Sequence, residues 1–202
     1  MTILLLVRHG STDALGKRIS GRAPGVPLNA AGKVEVDRLA ARLGRTEIAA
    51  VYSSPIERCV ETAHALATPH GLGVTLRENL TEIDFGAWTG KELGELQVDP
   101  AFRDFNVARS RTRPPGGEHA SEVQARMVEE LERVRRDHPD AFVAVVSHGD
   151  PLKAAIGYYL GVPIDLLNRL EISPGSLSAL RLMTDSVALL TFNDTGDATR
   201  SF

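Results

Sequence analysis

Two histidine-glycine pairs, His9-Gly10 and His148-Gly149, each close an apolar run of the sequence. An imidazole at the end of a buried strand stands on a rigid base with its ring towards solvent, and the following glycine lets backbone approach an anion closely. The first pair is preceded by Arg8. A guanidinium beside a nitrogen nucleophile suits phosphate, because its planar fork pairs bidentately with oxygens and keeps its charge at any working pH. Arg58 is a second candidate clamp, in the first turn of a predicted helix where free N–H groups and the helix dipole also favour an anion. These residue types point to chemistry on a phosphoryl group, where positioning and stabilisation of spread negative charge do most of the catalysis.

Other chemistries find less support. A metal hydrolase built on His9, His148 and Asp150 lacks a paired-ligand motif such as His-Glu-x-x-His, so neither a metal site nor a cofactor is expected. Cys59 reads as a small core residue, since a cysteine phosphatase loop would need arginine where Ala65 stands. Gly71-Leu72-Gly73 lacks the third glycine of a dinucleotide fingerprint, and Gly90-Lys91 runs into Glu92. His64, His70 and His138 fall within or at the ends of predicted helices and read as surface or capping residues. Arg103, Arg109, Arg111 and Arg113 either attract a multiply anionic substrate or form a solvated charged loop.

The elements that must position these groups alternate between strand and helix. Thr2 to Val7 is a continuous β-branched and leucine run, as in a strand covered on both faces. A glycine-containing loop from Gly10 to Pro27 leads to a helix over Asn29 to Leu43, capped by Asn29 and ended by Gly44. A strand over Ala49 to Tyr52 follows, then Ser54-Pro55-Ile56-Glu57, which predicts a helix start with serine as cap and glutamate closing a capping box. That helix ends at Gly71, and a third strand covers Val74 to Leu76. The segment from Glu78 to Glu118 is irregular and charge-rich and is expected to cap the site as an insertion. Glu122 to Arg136 predicts an amphipathic helix, Phe142 to Val146 an apolar strand, Pro151 to Leu160 a helix, and Ser176 to Met183 and Val187 to Phe192 two last strands. The expected fold is α/β, one domain over 1–193 with a mostly parallel sheet, helices on both faces, residues 78–118 as the cap and 194–202 as a frayed tail.

Bulk composition narrows the partners. The 202 residues suffice for one core, and 43% hydrophobic with 24% charged residues is usual for a soluble globular chain. A net charge of -3 gives no electrostatic case for nucleic acid or an anionic membrane. The apolar start is too short to span a bilayer and runs into Arg8 and His9 instead of a cleavage site. A single cysteine fits a reducing compartment, so the cytoplasm is expected. Oligomeric state is left open, a homodimer included.

Four blocks resemble one family. Leu5-Leu6-Val7-Arg8-His9-Gly10-Ser11-Thr12 resembles the Arg-His-Gly start of the histidine phosphatase superfamily, also called phosphoglycerate mutase-like. Ser53-Ser54-Pro55-Ile56-Glu57-Arg58-Cys59-Val60-Glu61-Thr62-Ala63 is similar to its second block, which carries a phosphate-binding arginine. Leu80-Thr81-Glu82-Ile83-Asp84-Phe85-Gly86-Ala87-Trp88-Thr89-Gly90 resembles the third, with an acid/base glutamate, and Val145-Val146-Ser147-His148-Gly149 the fourth, with a second histidine. The resemblance implies that His9 is the nucleophile, that Arg8, Arg58 and His148 bind the transferring group with help from the Thr12 hydroxyl, and that Glu82 moves the proton. Asp84 and Glu78 stand close enough in sequence to compete for that last role.

The implied activity is metal-independent hydrolysis of a small phosphorylated metabolite through a phosphohistidine. A phosphoglycerate-type phosphomutase using the same site is the nearest rival, and a non-catalytic phosphate-ligand-binding regulatory protein is a rival of another class. Many family members place glutamate and asparagine where this chain has Ser11 and Leu15, and serine where it has His119. Leu15 weakens the mutase reading, and His119 is expected at the substrate mouth.

Overall fold

The computed structural model describes residues 1–196. β1 (Thr2–Arg8) lies inside a six-stranded sheet ordered β3-β2-β4-β1-β5-β6, where β2 is Ile48–Ser53, β3 Val74–Leu76, β4 Phe142–Ser147, β5 Leu177–Leu182 and β6 Val187–Asp194. The β3-β2, β2-β4 and β4-β1 pairings are parallel, whereas β5 and β6 run antiparallel. The sheet is therefore mostly parallel, as expected.

Side chains alternate across β1 and sort into two cores. Leu4 and Leu6, with Val143 and Val145 of β4, pack against Met127 and Leu131 of α5 (Ala120–Asp137) and Leu152 and Ile156 of α6 (Gly149–Leu160). Leu5 and Val7, with Ala144 and Val146, face Leu39 of α1 (Ala30–Leu43) and Ala63 and Leu66 of α2 (Glu57–Ala67). Each such buried leucine or valine contributes about 1.5–3 kcal/mol. This burial on both faces explains why β1 and β4 read as unbroken apolar runs.

Helix ends show where local signals held and where they did not. Asn29 caps α1, its Oδ1 accepting from the Gly32 N–H at 2.8 Å. At α2 the expected capping box does not close: the helix starts at Glu57 with no side-chain cap of its own, although Ser54 Oγ accepts from the Ile56 N–H just before it, at 3.3 Å. Glu57 instead accepts from the N–H groups of Gly25 and Val26, both at 3.0 Å, tying the β1–α1 loop to α2. A long-range loop contact thus outcompetes the local one.

The segment from Glu78 to Glu118 is more regular than expected, with α3 (Leu93–Gln97), α4 (Pro100–Val107) and short 3-10 turns. Asp99 caps α4 from the Ala101 N–H, with Pro100 in the first turn. Trp88 and Phe105 are fully buried in edge-to-face contact at 5.5 Å and anchor the segment in the α5–α6 core. Its chain also zips to the loop after β1 through Ile19 N–H to Lys91 O at 3.0 Å and Gly90 N–H to Ile19 O at 2.7 Å. β6 runs on through Asp194, which pairs with Arg42, so the expected frayed tail does not begin at 194; residues 197–202 lie outside the described residues.

Candidate active site

Register brings the two histidines together. Arg8 stands opposite Ser147 on the parallel β1–β4 pair, and the His9 N–H donates to the Ser147 carbonyl at 3.1 Å. Both chains leave the sheet at this point, and the two imidazole rings meet edge-to-face with centroids 5.1 Å apart. Gly10 serves packing here: a Cβ on it would stand 2.6 Å from the Gly32 carbonyl, and one on Gly32 would stand 2.1 Å from the Ser11 carbonyl. The missing side chains let the start of α1 abut the loop that follows His9.

His9 is buried, and its Nδ1 lies 2.7 Å from the Gly10 carbonyl. A carbonyl only accepts, so Nδ1 carries the proton and Nε2 keeps its lone pair. Burial, then Arg58 and Arg8, hold the His9 pKa well below its usual value, which keeps the imidazole neutral and nucleophilic.

Arg58 reaches both histidines from the first turn of α2, with Nε 3.1 Å from His9 Nε2 and Nη2 3.1 Å from His148 Nδ1. Its Nη2 also donates to the Gly21 carbonyl at 2.8 Å. With Nδ1 accepting from Arg58, His148 presents its Nε2 proton to Ser54 Oγ at 2.9 Å. Burial, then Arg58, depress the His148 pKa too. Arg8 donates through Nη1 to the Ile172 carbonyl at 2.6 Å. Arg8 Nε and Arg58 Nη1 are buried without a partner. Donors left orphaned beside a pocket are costly unless an acceptor arrives, and an anion is the acceptor that fits two guanidiniums.

Glu82 closes the far side, its Oε2 3.9 Å from His148 Nδ1 and its side chain 13% exposed. Burial and then Asp150 raise its pKa to about 7, against the pull of Arg58. A carboxyl poised there suits a group that must both give and take a proton near neutrality. Asp84 is turned away, its Oδ1 accepting from the Gly86 N–H at 2.8 Å, and Glu78 opens a 3-10 turn. Neither lines the pocket. Asp150 is ion-paired with Arg109 at 3.0 Å; burial pushes its carboxyl up, but Arg109 and Lys153 outweigh that and hold it ionised. Among the described residues no three His, Cys, Asp or Glu side chains gather as a metal site.

The pocket, about 150 Å³, is lined by Arg8, His9, Thr12, Arg58 and Glu82, with Leu15, Arg18, Ser20, Gly21 and Phe85 among the other residues of its wall. His148 lies fully buried behind Arg58. Arg18, Ser20, Gly21 and Phe85 escaped the sequence reading. The loop after β1 is held there by its zipping onto residues 90–93 and by Arg58 on the Gly21 carbonyl, and no local pattern announces those pairings. Cys59 sits beneath His148 with Sγ 3.3 Å from Nε2, and burial pushes its thiol pKa far up, so it is an inert core residue.

A family model described as histidine phosphatase superfamily (branch 1) matches residues 4–195. The chain belongs to this superfamily. A protein named as bifunctional from Mycobacterium tuberculosis is 36% identical over 200 residues, 96% of this chain. The chain spans about half, 54%, of the length of that relative. Phosphoserine phosphatase 1 of Hydrogenobacter thermophilus is 32% identical over 169 residues, covering 81% of this chain and 79% of its own. Among solved structures, Bacillus stearothermophilus YhfR superposes with a TM-score of 0.90 at 30% identity, over 96% of this chain and 98% of its own.

For a member of the histidine phosphatase superfamily, the departures from pattern have structural explanations. Ser11 binds Glu35 through both its N–H and Oγ, at 2.8 and 2.7 Å, so it braces α1 instead of facing the pocket. Leu15 is 45% exposed on the pocket wall. His119 does not line the mouth: it caps α5, its Nδ1 accepting from the Ser121 N–H at 3.3 Å while Glu122 closes the capping box. Of the four insertion arginines, Arg109 is buried against Asp150, and Arg113 faces Glu122 at the surface.

Proposed function

We propose that this chain is a metal-independent phosphatase that hydrolyses small phosphomonoesters through a phosphohistidine on His9. The observation that carries the reading is the convergence of a neutral His9, with its lone pair on Nε2, and two guanidiniums that keep unpartnered buried N–H groups beside one pocket. Arg8 and Arg58 receive the phosphoryl oxygens, with Thr12 at the pocket wall and His148 beside Arg58. His9 Nε2 attacks phosphorus as the bond to the ester oxygen breaks, and Glu82 protonates the departing alkoxide. Glu82 then takes a proton from water, the resulting oxygen attacks phosphorus, and the N–P electron pair returns to Nε2 with release of inorganic phosphate.

The pocket volume suits a small phosphorylated metabolite, and the relative from Hydrogenobacter thermophilus carries the name of a phosphatase. A reducing cytoplasm suits the single buried free thiol, Cys59. Acid-quenched and base-quenched mixtures with phosphoryl-labelled substrate test the covalent step. A label that is stable in base, lost in acid and absent from His9→Ala is expected; label persisting in that variant removes His9 from the role. A phosphomonoester panel, with and without a bisphosphoglycerate, should yield free phosphate, and accumulation of an isomerised product would make the phosphomutase the better reading.

A further inference from the structure

The carbonyl oxygen of Glu82 and the N–H of Ile83 belong to one planar peptide unit. On its N–H side, Ile83 donates to Glu82 Oε1 at 2.9 Å, which fixes the carboxyl against its own backbone. On its carbonyl side two guanidiniums converge, Arg22 Nε at 2.7 Å and Arg126 Nη2 at 3.2 Å. Turning that peptide would swing the carboxyl away from His148, and the two arginines hold it still.

One carboxylate holds both arginines. Arg126 grips Glu118 fork to fork, Nε to Oε1 at 2.7 Å and Nη2 to Oε2 at 3.0 Å, and Arg22 Nη2 reaches Oε2 at 2.9 Å. The segments are also joined by backbone: the Asp84 N–H donates to Glu118 Oε2 at 3.2 Å, and the Glu118 N–H donates to the Asp84 carbonyl at 2.9 Å. Glycines permit this closeness, since a Cβ on Gly86 would stand 2.2 Å from the Pro115 carbonyl and one on Gly117 would stand 2.4 Å from that of Asp84. Glu118 and Arg126 side chains are only 15% and 14% exposed, so the ion pair is sheltered from solvent screening.

We infer that Glu118, acting through Arg22 and Arg126, is the positioning residue that aims the Glu82 carboxyl at the leaving-group oxygen. It does not line the pocket, and it reaches Glu82 through the arginines on the 82–83 peptide and through the adjoining Asp84 backbone. The inference rests on the proposed role of Glu82 as the acid.

The test compares single-turnover release from an alkyl phosphate and from nitrophenyl phosphate, whose leaving group needs no proton. Glu118→Gln should slow the alkyl phosphate by about tenfold to a hundredfold, the span expected when a catalytic group is misplaced by ~1 Å. The nitrophenol burst and vanadate inhibition should stay within about twofold of wild type, because the phosphate seat is untouched. Adding Glu118→Gln to Glu82→Gln should slow the alkyl phosphate no further, as expected for residues acting through one another. Should Glu118→Gln fold poorly, Arg22→Gln removes one arm of the clamp from a half-exposed side chain and should show the same split. Equal slowing of both substrates, or no slowing of either, overturns the clamp while leaving Glu82 as the acid. Absence of any leaving-group dependence in Glu82→Gln itself overturns both.

Discussion

Arg58 Nε donates to His9 Nε2 across 3.1 Å, and so occupies the lone pair that the proposed nucleophile needs. Phosphoryl oxygens must draw that N–H onto themselves before attack begins, which couples seating of the phosphate to release of the nucleophile. Arg58→Met should therefore lower kcat/KM by at least about a hundredfold, the usual loss when a donor to developing charge is removed. In the wild type, vanadate at about a hundred times its Kd should stabilise the fold by about 2.7 kcal/mol. Thermal melts with and without vanadate check this, and a variant that keeps the full shift would take Arg58 out of the seat.

Glu82→Gln should slow alkyl phosphates by roughly a hundredfold or more while sparing the nitrophenol burst from nitrophenyl phosphate. Asp84→Asn is the control. Its carboxylate is spent on the Gly86 N–H, so it should lose about 1 kcal/mol of stability and show no leaving-group dependence. An exchange of these behaviours would make Asp84 the acid.

Between its ordinary value of 4.5 and about 7, Glu82 in the folded protein keeps a proton that the unfolded chain releases. Stability from this group is full below pH 4.5 and is lost as pH rises through about 7, by at most on the order of 3 kcal/mol. His9 and His148 act oppositely: held below 6.5 by burial and then Arg58, they lower stability as pH falls and the unfolded chain takes up protons. Denaturant unfolding of wild type and Glu82→Gln at pH 5 and pH 8 separates the two, and the variant should gain on wild type at the higher pH. A pH-independent difference between them would be evidence against the raised pKa. Turnover of alkyl phosphates should fall on the alkaline side of about pH 7 for the same reason.

Gly32→Ala drives a methyl into backbone, 2.1 Å from the Ser11 carbonyl and 2.7 Å from its nitrogen. Overpacking of this kind costs about 1–3 kcal/mol or more. Because Ser11 adjoins Thr12 in the loop that follows His9, turnover should fall along with the melting temperature. Gly94→Ala, in open space within α3, should instead stabilise by about 0.4–1 kcal/mol. Equal melting temperatures for the two variants would contradict the packing described for α1.

Much of the site was legible because its residues sit at the ends of strongly patterned elements. β1 and β4 are buried on both faces, so their apolar runs mark their own ends, and His9 and His148 stand there. Asn29 and Gly44 mark α1 equally well. The errors share one physical cause, competition from distant partners. Glu57 is claimed by the Gly25 and Val26 N–H groups, so the capping box at α2 stays open, and Ser54 Oγ is shared between the Ile56 N–H and His148. His119 lies outside the usual capping residues yet caps α5, a role that its glutamate three residues on could have suggested. α3 and α4 are too short for periodicity to reveal, although Asp99-Pro100 carries the start of α4. The Glu118 clamp spans residues 22 to 126 and has no local signal at all.

The placing of β1 also bears on how the chain comes to be folded. Its two neighbours in the sheet are β4, 139 residues further on at Ile3 opposite Phe142, and β5, which follows β4 in the chain. β1, made before β4 and β5, therefore waits for both of its partners, and such long-range pairings carry a loop-closure cost that slows folding. Until then a run of leucines and valines has two open edges and is exposed to association with other chains. A nascent chain cut short before β4 would carry the complete Arg8-His9-Gly10 signature yet lack the strand that sets its register.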